Sequence, residues 1–179
     1  IGTAHVSDGY PMYYDAVNEK GLGMAGLNFA VSAHYAEPQD GKQNIAQFEF
    51  IPWVRSQYAT IEQARSAIEK KNLVGTTFDS RYPAAKMHWI IADKSGAITV
   101  EPTESGLKIY DNAPGVLTNE PPFDMQMFNL NNYMNLSPKQ PQNSFSNNLD
   151  LGTYSRGMGG LALPGDLSSM SRFFRAAFT

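Results

Sequence analysis

The stretch from His88 to Asn119 constrains the fold most, because short apolar runs alternate there with residues that favour turns. The runs are HWIIAD, AITVEP, LKIYDN and GVLTN, and the first three are connected at Lys94–Gly96 and Glu104–Gly106. Runs of this length at this spacing predict strands that pair with their neighbours in the chain. We therefore expect an antiparallel meander that includes all four runs.

Helical patterns precede the meander. Residues Ile45–Tyr58 carry apolar side chains near helical spacing, although Pro52 is expected to kink or break that helix. Thr60 followed by Gln63 has the pattern of a capping box and predicts a helix over Ile61–Lys71. Both segments are expected to pack a helical layer on the sheet.

The remaining segments complete an α+β pattern. Gly21–Phe29 is interpreted as a buried strand, crowded on both sides so that glycine is favoured. Phe123–Tyr133 is predicted to be helical, and a final helix is predicted to be capped by Asp166. Ser137–Ser155 is too polar for a core and is interpreted as a long excursion and a candidate oligomer contact. Helices layered on antiparallel sheet follow from this order of elements.

Composition limits the class of protein. With 42% hydrophobic and 12% aromatic residues, residues 1–179 are predicted to form a single domain with a core. The 14 basic and 17 acidic residues are spread along the chain, so neither nucleic acid nor an anionic membrane is predicted as a partner. No apolar run approaches the roughly 20 residues that span a bilayer, and no signal-peptide pattern begins the chain. A soluble protein is expected.

Several kinds of site are disfavoured by residue types alone. The chain has no cysteine, which excludes disulfides, thiolate zinc sites and cysteine nucleophiles from this stretch. His5, His34 and His88 lack the spacing of metal ligands, so structural roles, no metal and no cofactor are predicted. The serines and glycines form neither GxSxG nor a phosphate-binding loop. Residue types by themselves do not identify an enzyme.

Four longer blocks change this interpretation, because in order and spacing they resemble the choloylglycine hydrolase family, which includes bile salt hydrolases and penicillin V acylases. The blocks are NEKGLGMAGLNF, HWIIAD, GVLTNEPPFDMQMFNLNNY and GLALPGDLSSMSRFFRAAF. The resemblance covers essentially the whole chain. It implies an N-terminal-nucleophile hydrolase with an αββα sandwich, in which a cysteine exposed by removal of the initiator methionine attacks a linear amide.

The resemblance also implies which residues carry the chemistry. The cysteine, with an arginine and an aspartate soon after it, is expected before Ile1, and both chain ends are interpreted as truncations that leave the central part of the domain. The Asn of LNF corresponds to Asn28, that of VLTN to Asn119, and the Arg of SRF to Arg172. Asn119, through its side-chain amide, and Asn28, through its backbone N–H, are expected to stabilise the oxyanion. Arg172 is expected to favour the thiolate.

Structural alternatives exist for all three residues. Asn119 before two prolines is a typical turn residue, and Asn28 is a typical strand-end residue. At about 100° per residue, Arg172 falls some 140° from a predicted apolar stripe, where a solvent-facing arginine is expected. That stripe consists of Leu167, Met170, Phe174 and Phe178. Arg172 is expected to reach an active site only if other structure covers its face.

The expected substrate class is conjugated bile salts. Bile salt hydrolases resemble this chain in having asparagine at the position of Asn28, where penicillin V acylases often have tyrosine. Phe78 and Tyr82 align with the loop that lines the steroid side of the family's pocket, although both are alternatively simple loop anchors. The resemblance implies a cytoplasmic bacterial homotetramer. Penicillin V acylase and a catalytically inactive remnant are the alternatives.

Overall fold

A six-stranded antiparallel sheet organises the computed structural model, which describes residues 1–178. Its strands are β1 (Gly2–Ser7), β2 (Tyr10–Val17), β3 (Gly23–Asn28), β6 (Met87–Asp93), β7 (Gly96–Thr103) and β8 (Gly106–Asp111). They lie side by side in this same order. Two short strands, β4 (Asn44–Ala46) and β5 (Asn72–Val74), pair in parallel outside this sheet. The chain is thus α+β, as predicted.

Three of the four runs of the predicted meander are strands. Asp93 pairs with Gly96 across the β6–β7 turn, and Thr103 pairs with Gly106 across the next turn. The prediction of a strand at GVLTN is wrong. There the buried Asn112 side chain replaces a strand partner, since it donates to Val116 O at 2.8 Å and accepts from Val116 N at 3.2 Å.

The helical prediction for Ile45–Tyr58 is correct only in its second half. Ile45 lies on β4, a 3₁₀ turn spans Gln47–Glu49, and helix α1 is Phe50–Gln57. The prediction that Pro52 breaks this helix is wrong. Pro52 lies in the first turn, where backbone N–H groups have no acceptor within the helix and a missing donor costs little.

Helix α2 (Ile61–Ile68) is capped as predicted and ends earlier than predicted. Thr60 Oγ1 accepts from Gln63 N at 3.3 Å, and Gln63 Oε1 accepts from Ala59 N at 2.9 Å. After Ile68 the backbone tightens into three-residue turns, with Lys71 N donating to Ile68 O at 3.0 Å. These turns lead directly into β5.

The main core lies between one face of the sheet and helices α1 and α2. Trp89 on β6 is 1% exposed and meets Phe50 of α1 edge to face at 4.9 Å between ring centroids. The crowding predicted around β3 is found at Gly26, where a Cβ atom would lie 2.9 Å from Met87 Cε and 3.0 Å from Trp89 Nε1, so both side chains would have to shift. The prediction of a buried strand is only partly correct, because Met24 is the one fully buried residue of β3.

The other face of the sheet carries helices α3 (Phe123–Asn129) and α4 (Ser169–Phe178), with a 3₁₀ turn at Leu130–Tyr133. The ring centroids of Phe173 and Phe123 are 6.0 Å apart, and those of Phe174 and Tyr133 are 4.0 Å apart. The predicted stripe is therefore wrong in one member, Leu167, and leaves out Phe173. Leu167 precedes the helix and is exposed, whereas Phe173 is buried.

The predicted cap of the last helix is also displaced. Ser168 Oγ accepts from Ser171 N at 3.3 Å, so Ser168 has the position of the cap. Asp166 instead supports it, accepting from Ser168 N at 2.8 Å and from Ser171 Oγ at 2.6 Å. These hydrogen bonds hold the pKa of Asp166 below its usual value.

The β1–β2 hairpin was not predicted, although Asp8–Gly9 is a typical hairpin turn. Asp8 has φ +50° and Gly9 has φ +79°, the left-handed conformation that a two-residue turn of this type requires. Ser7 pairs with Tyr10 across it. The hairpin forms one edge of the sheet.

The segment after α3 remains outside the core, as predicted. Residues 137–155 contain neither helix nor strand and are largely exposed. Within residues 1–178, no helix has both the length and the apolar character needed to cross a membrane.

Candidate active site

Asn28 ends β3 with its backbone directed away from β6. Phe29 N donates to Lys86 O at 2.9 Å on the β6 side. Successive residues of a strand point their backbone groups to opposite edges, so Asn28 presents its N–H and C=O to the other edge. There Asn28 O accepts a hydrogen bond from Asn119 Nδ2 at 3.0 Å.

The Asn119 amide is fixed from both sides. Its Nδ2 donates to Asn28 O, and its Oδ1 accepts from Arg172 Nη2 at 2.8 Å. A guanidinium can only donate and a carbonyl can only accept, so this orientation of the amide is unique. Within residues 1–178, these contacts use one N–H of the amide and leave the second one for a further acceptor.

The backbone of Asn119 is held as firmly as its side chain. Its N–H donates to Ser169 Oγ at 2.8 Å, at the first residue of α4, and its C=O accepts from Gln126 Nε2 at 2.9 Å. Gln126 on α3 is 1% exposed. Two helices therefore fix the peptide that carries the amide.

Arg172 is exposed to solvent, yet its guanidinium is hydrogen-bonded. Besides Asn119, its guanidinium contacts Leu167 O through Nε at 3.1 Å. Helical side chains lean towards the N-terminus, which carries this one back over the segment that precedes α4. The structure thus brings Asn28, Asn119 and Arg172 together in one hydrogen-bonded chain.

Glu120, which sequence analysis missed, ties the same peptide to the loop after β3. Its carboxylate accepts from Val31 N at 2.8 Å, Ser32 N at 2.9 Å and Ser32 Oγ at 2.7 Å. Partial burial opposes ionisation, but the hydrogen bonds from Ser32 and Val31 outweigh it and lower the pKa of Glu120 below 4.5. An ionised Glu120 anchors the loop beside Asn28.

A cleft of about 630 Å³ begins at Asn28 and contains both residues predicted to bind substrate. The ring of Phe78 packs against those of Tyr10 and Phe48, with centroid distances of 5.4 Å and 5.2 Å. Tyr82 Oη lies 2.8 Å from His5 Nε2. Further lining residues are Met12, Tyr13, Tyr14, Gly26, Pro83 and Met87. The cleft is mostly aromatic and apolar.

Arg81, also missed, braces the loop that carries Phe78 and Tyr82. Its Nη2 contacts Ser7 Oγ at 3.0 Å, Asp8 at 2.6 Å and Asp79 at 2.7 Å. The hydrogen bond from Arg81 lowers the pKa of Asp79. The loop is thereby fixed to the β1–β2 turn across the cleft.

Metal chemistry has no candidate in the described part of the chain, where no three His, Cys, Asp or Glu residues cluster to hold an ion. His5 instead contacts Tyr82, and His34 contacts its own loop through Ser32 O. The arrangement offers fixed N–H donors beside an apolar cleft, which suits stabilisation of an oxyanion on an apolar substrate.

Comparison with known proteins places this geometry in a family. The family model for linear amide C–N hydrolases of the choloylglycine hydrolase family matches residues 1–179. A bile salt hydrolase/transferase of Lactiplantibacillus plantarum is 56% identical over 100% of this chain and 55% of its own length. A conjugated bile acid hydrolase of Lactobacillus gasseri is 41% identical over 99% of this chain and 57% of its own. The chain spans about half the length of these relatives.

Solved structures show the same fold. A variant of conjugated bile acid hydrolase from Clostridium perfringens superposes with a TM-score of 0.90 at 39% identity, covering 99% of this chain and 55% of the other. Penicillin V acylase from Agrobacterium tumefaciens shares the fold with a TM-score of 0.70 at 24% identity, over 93% of this chain and 44% of the other. With the sequence and the fold in agreement, the chain belongs to the choloylglycine hydrolase family of linear amide C–N hydrolases.

Proposed function

We propose that this chain is the central part of a domain of a conjugated bile salt hydrolase, which cleaves the amide between a bile acid and glycine or taurine. The observation that carries the proposal is the Asn119 amide, fixed between Asn28 O and Arg172 beside an apolar cleft. Its relatives named as bile salt hydrolases support the substrate class.

The chemistry needs donors where negative charge develops. Attack on the amide carbon turns the carbonyl oxygen into an oxyanion, and each preorganised donor there contributes roughly 3 to 4 kcal/mol. The free N–H of the Asn119 side chain and the backbone N–H of Asn28 are the proposed donors. Because Arg172 and two helices hold Asn119 in place, little reorganisation is needed as the charge forms.

The nucleophile of the proposed reaction is a cysteine in another part of the full-length protein, since these 179 residues contain none. Its thiolate would attack the carbonyl carbon, and its α-amine would pass the proton to the departing glycine or taurine. Water then hydrolyses the thioester. An amine in place of water would give acyl transfer, and the Lactiplantibacillus plantarum relative is named a hydrolase/transferase.

Arg172 has two proposed effects. Its contact with Oδ1 orients the Asn119 amide, and its positive charge favours the thiolate form of a cysteine placed close to it. Phe78 and Tyr82 are proposed to contact the rigid steroid, whose apolar face suits the aromatic lining of the cleft.

The full-length protein is proposed to be a cytoplasmic homotetramer. Support for association comes from the excursion at 137–155, where Phe145 and Tyr154 are both 83% exposed. Aromatic exposure of this degree is typical of association surfaces. Light scattering of the purified full-length protein should give the tetramer mass, and a stable monomer would contradict the proposal.

The test of the catalytic proposal is Asn119→Ala in the full-length protein. Turnover of glycocholate should fall by about two to three orders of magnitude, as the loss of one oxyanion donor typically causes. Asn135→Ala, at an exposed position outside both the site and the excursion, is the matched control and should keep wild-type turnover. A turnover of Asn119→Ala within about twofold of wild type would make Asn119 a turn residue only.

The same assay separates the alternatives. Faster hydrolysis of penicillin V than of glycocholate by the wild type would identify an acylase. No hydrolysis of either substrate by a folded full-length protein would identify an inactive remnant.

A further inference from the structure

His88 and Glu101 form a buried polar pair on the sheet face covered by α3 and α4. Both side chains are fully buried, and His88 Nδ1 lies 2.8 Å from Glu101 Oε1. On the opposite side of the ring, His88 Nε2 lies 2.8 Å from Thr118 O. The proposed catalytic chemistry uses neither residue.

The contacts of the pair determine its proton count. A carbonyl oxygen only accepts, so His88 Nε2 carries a proton and donates it to Thr118 O. With Nε2 protonated, a neutral ring has a lone pair at Nδ1, which would face a lone pair of an ionised Glu101. A second proton must therefore lie between Nδ1 and Oε1. The pair shares this proton and is neutral as a whole.

The surroundings favour a neutral pair. Glu101 also accepts from Phe123 N at 3.1 Å. Removing the shared proton would leave a net negative charge on a pair whose side chains are both fully buried.

The ring of His88 contacts the chain neighbours of both proposed oxyanion donors. Phe29, which follows Asn28, stacks on the ring at 4.3 Å between centroids with an interplanar angle of 6°. Thr118, which precedes Asn119, receives the Nε2 hydrogen bond. A single buried side chain thus contacts the two segments that carry the proposed oxyanion donors, the backbone N–H of Asn28 and the side-chain amide of Asn119.

We propose that the His88–Glu101 pair is a positioning device for the oxyanion site, which holds Asn28 and Asn119 at their working separation through one shared proton. The proposal rests on the proposed amidase function for its kinetic consequences. Its structural consequence, the geometry of the Asn119 amide, is independent of activity.

The test compares two substitutions of one residue in the full-length protein. The amide nitrogen of His88→Gln can occupy the place of Nε2 and keep the contact with Thr118 O. That of His88→Asn reaches only the place of Nδ1 and keeps the contact with Glu101. Both variants lose the ring that stacks on Phe29, so they are matched controls for packing.

For kcat on glycocholate, His88→Asn should lie about tenfold or more below His88→Gln, because small displacements of catalytic groups cost up to ~100-fold. The KM values should agree within about twofold, because the pair does not line the cleft. Glu101→Gln can donate to Nδ1 and accept from Phe123 N, so its kcat should stay within about threefold of wild type. Thermal unfolding checks that each variant is folded.

Crystal structures of the two His88 variants give a readout that requires no turnover. The Asn119 Nδ2 to Asn28 O contact of 3.0 Å should persist in His88→Gln and be lost or lengthened in His88→Asn. Equal kcat in two folded variants, or an unchanged contact in both structures, would overturn the positioning role. If the wild type hydrolyses no bile salt, the proposed function fails, and the structures alone decide the role of the pair.

Discussion

Two different parts of Asn28 have proposed roles. Its backbone faces Asn119 at the end of β3, and the residue also lines the aromatic cleft. A substitution of the side chain can therefore change the choice of substrate while the backbone donor is retained.

Asn28→Tyr in the full-length protein should shift the ratio of kcat/KM values from glycocholate towards penicillin V. A bulky phenol in the cleft disfavours a rigid steroid, and a change of about tenfold, or roughly 1.4 kcal/mol, is expected for a modest change in pocket fit. Both substrates are measured on the same preparation, since misfolding lowers both activities together. Parallel losses would remove Asn28 from the determinants of specificity.

Arg172 can be tested through the pH dependence of the reaction. A nearby positive charge lowers the pKa of a thiol, so Arg172→Met should raise the pKa of the proposed cysteine nucleophile. The acidic limb of the kcat/KM profile should then move to higher pH by roughly one to three units. Arg156→Met, at an exposed position outside the site, should leave the profile in place. An unmoved limb in Arg172→Met would restrict Arg172 to orienting Asn119.

At the scale of elements, sequence patterns correctly predicted the helix caps and turns that depend on residues close together in the chain. The cap at Thr60, the turns between β6, β7 and β8, and the helix after Pro122 follow from neighbouring residues and are present. The GVLTN segment fails because Asn112, a buried side chain, satisfies its backbone in place of a strand. A backbone that is hydrogen-bonded by a buried side chain instead of a neighbouring strand leaves no signal in the hydrophobic periodicity of the sequence.

In the candidate site, too, sequence motifs indicated some residues, whereas contacts between distant segments could not be predicted. Family motifs indicated Asn28, Asn119 and Arg172, but the contacts of Glu120 with Val31 and of Ser169 with Asn119 join segments far apart in the chain. For His88 and Glu101 a signal existed. Asp93 opposes Gly96 and Trp89 opposes Val100, so the same register places His88 opposite Glu101 and predicts a polar cross-strand pair.

Glu120 gives a prediction about the loop after β3. Its folded pKa lies below 4.5, so its ionised contacts stabilise the fold fully above about pH 4.5 and are lost as pH falls through the lowered value. Glu120→Gln should lower the melting temperature at neutral pH, and the difference from wild type should shrink in acid. A difference that is constant from pH 7 to about pH 3 would exclude an electrostatic role for Glu120.

At the scale of the whole molecule, the described sheet supplies donors and one side of a cleft but no thiol. The 179 residues contain no cysteine, and the chain spans about half the length of the relatives it matches. The proposed reaction is therefore divided between this part of the protein, which is proposed to stabilise the oxyanion, and another part, which is proposed to supply the nucleophile.

Release of glycine from glycocholate, measured for the full-length protein and for the purified 179-residue chain, tests this division most directly. The full-length protein should release glycine at a rate typical of an enzyme, and the chain alone should not exceed a buffer blank, because no residue in it can form the thioester. Glycine release by the pure chain above the blank would contradict the nucleophile assignment and the mechanism built on it.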